Sequence, residues 1–477
     1  MKIFKSVVLG IGSLLVVLVL VLAGIILVDG SQTTYLDVDS NPDFAPNTYL
    51  IKNANVVPMT ADTVLRNQMV LIREGMIADI ADEIIDSQAA VIDAGGGYLS
   101  PGLIDMHVHV WDKYELGLYL ANGVTTVRNL WGQPMHLRMK EAINKGEVVG
   151  PMFFTSGPKL TGPEYSGDDN LQLFTPEEAG SKVADYRERG YDFIKTYNGL
   201  TRELYDAILA QGKELDFDIV AHPSDKVPYS YHFRPEIITI EHAEDIVQQP
   251  LEYQLDTAKL AKVVDLYAAH HNTVLCPTLV VYHNIYRILT EDTILNSDEL
   301  NYMNPLIRQV DSQAQYDRWA NTKASDSTIV GSIRAQHNFH LYAIRKLHER
   351  RVPIVAGTDA GIGVTPAGYS LHEELDFYTL AGMSNYEALQ TATINPSRTH
   401  DFLNSQGSIE VGKVANLVLT EGHPLENLDV FRKPEMVMVR GRKINRETLD
   451  AFAQKARNRN NLLVSALRYA ENLIIEK

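Results

Sequence analysis

His107 and His109 stand two residues apart at the end of an apolar run, in Asp105-Met106-His107-Val108-His109. Side chains two apart on a strand share a face, so both imidazoles turn the same way and offer half of a zinc site. Alone, such a pair also fits two ordinary polar strand residues. Lys195 ends a second apolar run, Tyr191-Asp192-Phe193-Ile194. A strand-end lysine ordinarily snorkels to solvent. Desolvated, its amine loses basicity and can react with carbon dioxide to form a carbamate. The two carbamate oxygens could bridge cations about 3.5–4 Å apart. His222 closes Asp218-Ile219-Val220-Ala221, His242 closes Ile238-Thr239-Ile240-Glu241, and Asp359 lies within Gly357-Thr358-Asp359-Ala360-Gly361. Singly, these read as structural histidines and a helix-capping aspartate. At corresponding strand ends they read as a set.

The elements that must position this set are short apolar strands alternating with helical stretches. Eight strands are expected, near 103–107, 124–128, 152–156, 192–196, 217–222, 237–241, 273–278 and 353–358. Strands alternating with helices imply a parallel sheet, and eight of them over about 300 residues imply a closed α/β barrel, the (β/α)8 or TIM architecture. The stretch from Thr278 to Arg351 is long, and reads as helices with a lid-like insertion. Shorter strands bounded by glycine turns lie before Pro101 and again after Pro396. They predict a small discontinuous β-sandwich domain completed from both sides of the barrel.

The ordered set resembles the amidohydrolase superfamily, and within it the imidazolonepropionase and prolidase-like branch. It comprises Pro-Gly-Leu-Ile-Asp-Met-His-Val-His, Lys195, His222, His242 and Gly-Thr-Asp-Ala-Gly. Gly123-Val124-Thr125-Thr126-Val127-Arg128, Ser370-Leu371-His372-Glu373-Glu374-Leu375, Ala392-Thr393-Ile394-Asn395-Pro396-Ser397 and Gly412-Lys413-Val414-Ala415 agree with it. The resemblance covers residues 47–445. It implies two divalent ions, zinc foremost: His107, His109 and Asp359 on one, His222 and His242 on the other. Lys195, carboxylated by carbon dioxide, would bridge them. It further implies a hydroxide between the metals as nucleophile and Asp359 as proton shuttle. The implied reaction is cleavage of an amide or peptide C–N bond in a small molecule such as a dipeptide or N-acyl amino acid. Hydrolysis of a cyclic amide and deamination are the alternatives. Deaminases of the superfamily place a glutamate three residues after the fifth-strand histidine, where this chain has Asp225. Tyr197, two residues past Lys195, and Tyr282, just beyond the seventh strand, are candidate substrate-binding residues. Where many relatives carry Gly-Gly-His-Gly, this chain has Thr161-Gly162-Pro163-Glu164-Tyr165-Ser166. Asn129 and Asn416 stand in for aspartates at positions that look structural.

These readings divide the chain into residues 1–30, 31–46 as linker, 47–98 with 405–445 as the small β domain, 99–404 as barrel, and 446–477 as a C-terminal helix. The first segment is uncharged from Val7 to Val28 behind Lys2 and Lys5. As a helix it would span about 33 Å, enough for a bilayer. It is expected to be a transmembrane anchor holding the body outside the cytoplasm, or alternatively a cleaved signal giving a secreted protein. A net charge of −17 without a basic run excludes nucleic acid as a partner. A single cysteine, Cys276, excludes a disulfide framework and reads as a buried inert thiol. The expected partners are a small-molecule substrate and, through the N-terminus, the membrane; homo-oligomerisation is left open.

Overall fold

The computed structural model describes residues 16, 20–45, 47–165, 167 and 170–476. Its centre is a ring of parallel strands. The first three, Leu103–Val108, Val124–Asn129 and Met152–Thr155, pair with one another. So do the fourth to seventh, Ile194–Thr196, Ile219–Ala221, Ile237–Glu241 and Val274–Cys276. Parallel bridges Ser156–Phe193, Leu275–Ile354 and Val108–Ala360 link the two groups to each other and to an eighth segment, residues 353–360. The Met106 N–H donates to the Ala356 carbonyl at 2.9 Å, and the Asp359 N–H to the His107 carbonyl at 2.7 Å. The TIM-barrel-like α/β fold is therefore present. Its strands are buried on both faces, which is why they read as continuous apolar runs.

The eighth segment is irregular for a local reason. Asp359 has φ +58° and Gly361 φ +99°, a left-handed conformation that breaks the ladder. A side chain on Gly357 would collide with Cys276 and His107, and one on Gly361 with the His109 carbonyl. Only glycine lets this backbone lie against the first strand.

Strands before the barrel (Tyr49–Val56, Leu65–Arg73, Met76–Ala81, Ala90–Asp93 and Tyr98–Pro101) join three after it in one eight-stranded sheet. The later three are Leu417–Thr420, Met436–Val439 and Arg442–Asn445. Tyr98–Pro101 pairs with Leu417–Thr420 and so stitches the two halves together. The sheet curls until Met76 bridges Val414, and Ile77 shares a core with Met436 and Met438.

The expected membrane anchor is corrected. Among the described residues, no helix is long and apolar enough to cross a membrane. Helical residues are described at position 16 and over 20–32. The end of the 20–32 stretch is tied to the body: Asp29 is buried and lies 3.2 Å from Arg468, and the Tyr114 hydroxyl donates to Gln32 at 3.1 Å. Residues 7–15 and 17–19 of the expected span lie outside the described residues. The membrane partner and the location inferred from the anchor fall with it. Residues 34–44, read as a tether, form three short 3-10 helices that bury Leu36 and Phe44.

Candidate metal centre

At the C-terminal ends of the barrel strands, His107, His242 and Asp359 bring one ligand atom each to within 4.8 Å of one another. Asp359 Oδ1 lies 3.1 Å from His107 Nε2 and 2.7 Å from His109 Nε2. The His242 ring stands between those of His107 and His222, at centroid distances of 4.8 and 4.9 Å. Lys195 is buried, and its Nζ has no hydrogen-bond partner among the described residues. Five of the six expected ligands thus interlock by ring contact or hydrogen bond, and the sixth is a buried amine whose charge reaches His222, His242 and Asp359.

The electrostatics suit cations. Burial holds the His222 and His242 imidazoles well below the ordinary histidine range, with neighbouring positive charge adding to the effect. Burial also lowers His109, against the pull of Asp359. Neutral imidazoles are the form that ligates metal. Burial opposes ionisation of Asp359, but His107 and His109 outweigh it and hold the carboxyl well below its usual range. Burial brings the Lys195 amine down to about 8. A usable fraction of it is then unprotonated near neutral pH, the state that can form a carbamate. Asp359 and His242 (φ +67°) both occupy the left-handed region. Such conformations cost about 1–3 kcal/mol each and persist where the surroundings enforce them.

A supporting layer was not foreseen from the sequence. Glu241 Oε2 lies 2.7 Å from His107 Nδ1, leaving Nε2 to face Asp359. The Arg128 guanidinium, itself buried, donates to Glu241 Oε1 at 2.8 Å and to the Met106 carbonyl at 2.7 Å. Thr278 lies 3.0 Å from His242 Nδ1, and the Thr358 hydroxyl donates to Asp105 at 2.8 Å. Ligand histidines characteristically carry such partners on their second nitrogen. Asn129 accepts from the Val110 N–H at 2.9 Å and Asn416 from the Arg440 N–H at 2.8 Å; both are structural. Cys276 is free and buried.

The two candidate tyrosines sit differently. Tyr197 packs its ring on His222 at 4.2 Å, beside the ligand set. Tyr282, on the helix Leu279–Thr290, meets His340 edge-on at 4.7 Å and does not touch the ligands by ring contact. Asp225 accepts from the Gly199 N–H at 3.1 Å and borders a cavity of about 820 Å³ that also involves Asn198 and Gln248. Asn198, Asp225 and Gln248 follow Tyr197, His222 and His242 in the chain, but none of the six expected ligands lines this cavity.

Buried, neutral or ionised donors converging around orphaned polar atoms, including Lys195 Nζ and His222 Nδ1, fit divalent metal. Comparisons with known proteins agree. The chain is 23% identical to an imidazolonepropionase of Picrophilus torridus, over 82% of this chain and 95% of that one. It is 54% identical to a dihydroorotase of Carboxydothermus hydrogenoformans over only 63 residues, so that it spans 14% of that enzyme's length. Among solved structures, a bottromycin amidohydrolase superposes with a TM-score of 0.73 at 22% identity, covering 90% of this chain and 94% of that one. A putative prolidase from Bifidobacterium longum gives 0.64 at 24%, covering 86% and 99%. At these identities the structural likeness speaks to the fold. Family-level similarity, in contrast, runs through barrel and sheet alike, since residues 98–444 match the amidohydrolase family. The chain belongs to the amidohydrolase family.

Proposed function

We propose that this chain hydrolyses a C–N bond in a small amide, a dipeptide or an N-acyl amino acid. The observation that supports it most is the buried convergence of His107, His242 and Asp359 beside the unpartnered amine of Lys195. His107, His109 and Asp359 would hold one divalent ion, His222 and His242 a second, with Lys195 as its carbamate between them. Bound ions, zinc foremost, would supply Lewis acidity and make a water acidic enough to attack near neutral pH. Asp359 accepts the attacking water's proton and passes it to the leaving nitrogen. The water oxygen bonds to the carbonyl carbon, the C–N bond breaks, and a carboxylate and an amine leave. Glu241 and Arg128 hold the His107 ring in place throughout. Tyr197, against His222, contacts the substrate, and Tyr282 borders its approach.

Asp225 favours hydrolysis over deamination, because its carboxylate is spent on the Gly199 N–H rather than directed to the ligands. Structural neighbours described as a prolidase and a Xaa-Pro dipeptidase also support a peptide-like substrate. The test is a screen of zinc-loaded protein against dipeptides, N-acyl amino acids, lactams and esters, with bound metal counted. Amine release with about two ions per chain is expected. Ammonia release from a nucleobase by protein holding one ion would overturn the reading.

A further inference from the structure

Beside the first-strand histidines stands an aromatic wall that the proposed reaction does not use. Trp131 follows the second barrel strand, and its backbone is pinned there. The Asn129 side-chain amide donates to the Trp131 carbonyl at 3.0 Å, and the Gly132 N–H to the Gly157 carbonyl at 3.1 Å. The indole is 6% exposed and meets the His109 ring edge-on at 6.2 Å. Trp111 packs edge-on against it at 4.7 Å, and Tyr469 of the C-terminal helix at 6.2 Å. Ile294, Leu300, Met303 and Val364 belong to the same apolar cluster. The wall is therefore built from the second-strand end, the long connection after the seventh strand, the turn after the eighth and the tail. In a barrel of this kind such segments beyond the strand ends set specificity.

The two packed indoles differ in one respect. Trp111 Nε1 donates to the Gly361 carbonyl at 2.7 Å, so its N–H is spent on the fold. Trp131 Nε1 is buried and has no hydrogen-bond partner among the described residues. A buried donor left unpaired is costly, and a native site that retains one calls for an explanation. Trp319 Nε1, on the helix Gln313–Ser325, is unpaired as well. Of the two, Trp131 is the one whose ring meets a candidate ligand. An apolar face carrying one N–H donor matches a bulky apolar group with an oxygen acceptor next to it, which is what an amide with an aromatic or branched substituent presents.

We infer that Trp131, backed by Trp111 and Tyr469, is a substrate-specificity residue on the His109 side of the centre: its ring packs on a large apolar group of the amide, and its N–H donates to an oxygen of the same substrate. The inference rests on the amide-hydrolase reading and narrows it to amides with a large apolar group next to the scissile bond. The bond-breaking groups remain those described above.

The test uses zinc-loaded full chain with three amides. N-acetylglycine has no large apolar group, N-benzoylglycine carries a phenyl on the acyl side and N-acetyl-L-phenylalanine one on the amine side. Binding is measured by calorimetry, hydrolysis by steady-state kinetics, and zinc is counted in every variant. At least one phenyl compound should bind about 10- to 100-fold more tightly than N-acetylglycine, the worth of burying one aromatic ring. Trp131→Ala should abolish that preference through KM. Trp131→Phe keeps a ring and loses the donor, so it should retain the preference while binding every amide about 3- to 10-fold more weakly, the worth of one neutral hydrogen bond. Zinc content should stay constant in both. Should Trp131→Ala misfold, Trp131→Phe and the wild-type preference still decide. A wild type that hydrolyses all three amides without preference keeps the hydrolase reading and overturns the specificity wall. A folded Trp131→Ala that keeps the preference overturns it, as does a Trp131→Phe that binds as the wild type does. Loss of zinc in the variants would make Trp131 a support for His109 and overturn its substrate role. A preference in binding without hydrolysis of any amide would keep the wall and overturn the hydrolase reading instead.

Discussion

His107 can present one defined nitrogen to the centre because Glu241 occupies the other at 2.7 Å, and Glu241 keeps its charge because Arg128 sits on it at 2.8 Å. Burial opposes ionisation of Glu241, but Arg128 and His107 outweigh it and hold the carboxyl well below the usual range. Glu241→Gln should therefore weaken zinc binding about 10- to 100-fold, as removal of such partners does. Competition with a chromophoric chelator reads this directly, and unchanged affinity would show that Glu241 does not orient the ring. Asp359 is assigned a different task from the other ligands. Asp359→Asn should leave most metal in place while turnover falls about 10²–10⁴-fold; a parallel loss of metal would make it a ligand only. The candidate ligands stood out in the sequence because the histidines and Lys195 lie at the ends of apolar runs and Asp359 lies within Gly357-Thr358-Asp359-Ala360-Gly361. Glu241 did not, since its partner His107 lies 134 residues away and nothing in the local pattern links them.

At the scale of elements, the tail differs from the single helix that its apolar spacing predicts. Two helices form, Arg446–Arg457 and Leu462–Glu476. Between them Arg459 turns inward to Asp112 at 3.0 Å and Glu115 at 3.4 Å, and donates to the Tyr302 carbonyl at 2.6 Å. No glycine or proline marks the break; a tertiary ion pair makes it. The second helix carries Tyr469 to Trp111 and Trp131, 6.4 and 6.2 Å away, so the tail walls the side of the barrel mouth near His109. Arg459→Ala removes the guanidinium that faces two buried carboxyl groups. It should cost about 3–5 kcal/mol, seen as a lower Tm; a change under about 1 kcal/mol, the scale of a surface pair, would contradict the arrangement. Burial, then Asp112, pushes the Glu115 carboxyl from 4.5 up to about 8. Between those values the folded state binds more protons than the unfolded one, so stability falls as pH rises through this window. Glu115→Gln should raise Tm more at pH 9 than at pH 5, and a pH-independent effect would count against it.

For the whole molecule, the barrel was legible because parallel strands covered on both faces leave continuous apolar runs between helices. All eight positions read from the sequence coincide with the ring, including the irregular eighth. The discontinuous sheet was legible from glycine-bounded strands on either side of the barrel, though its curl rests on contacts between distant hairpins. The apolar N-terminus misled for the converse reason. Hydropathy records the length of an uncharged run and not what it packs against, and Asp29, just past its end, is buried on Arg468. We propose that this scaffold assembles a two-ion centre around Lys195. It is tested most directly by counting zinc per chain and turnover together in wild type and Lys195→Ala. About two ions are expected in the wild type. Metal and activity should fall together in the variant, and added acetate or formate should restore part of both. A Lys195→Ala protein that keeps both ions and full turnover would contradict the account.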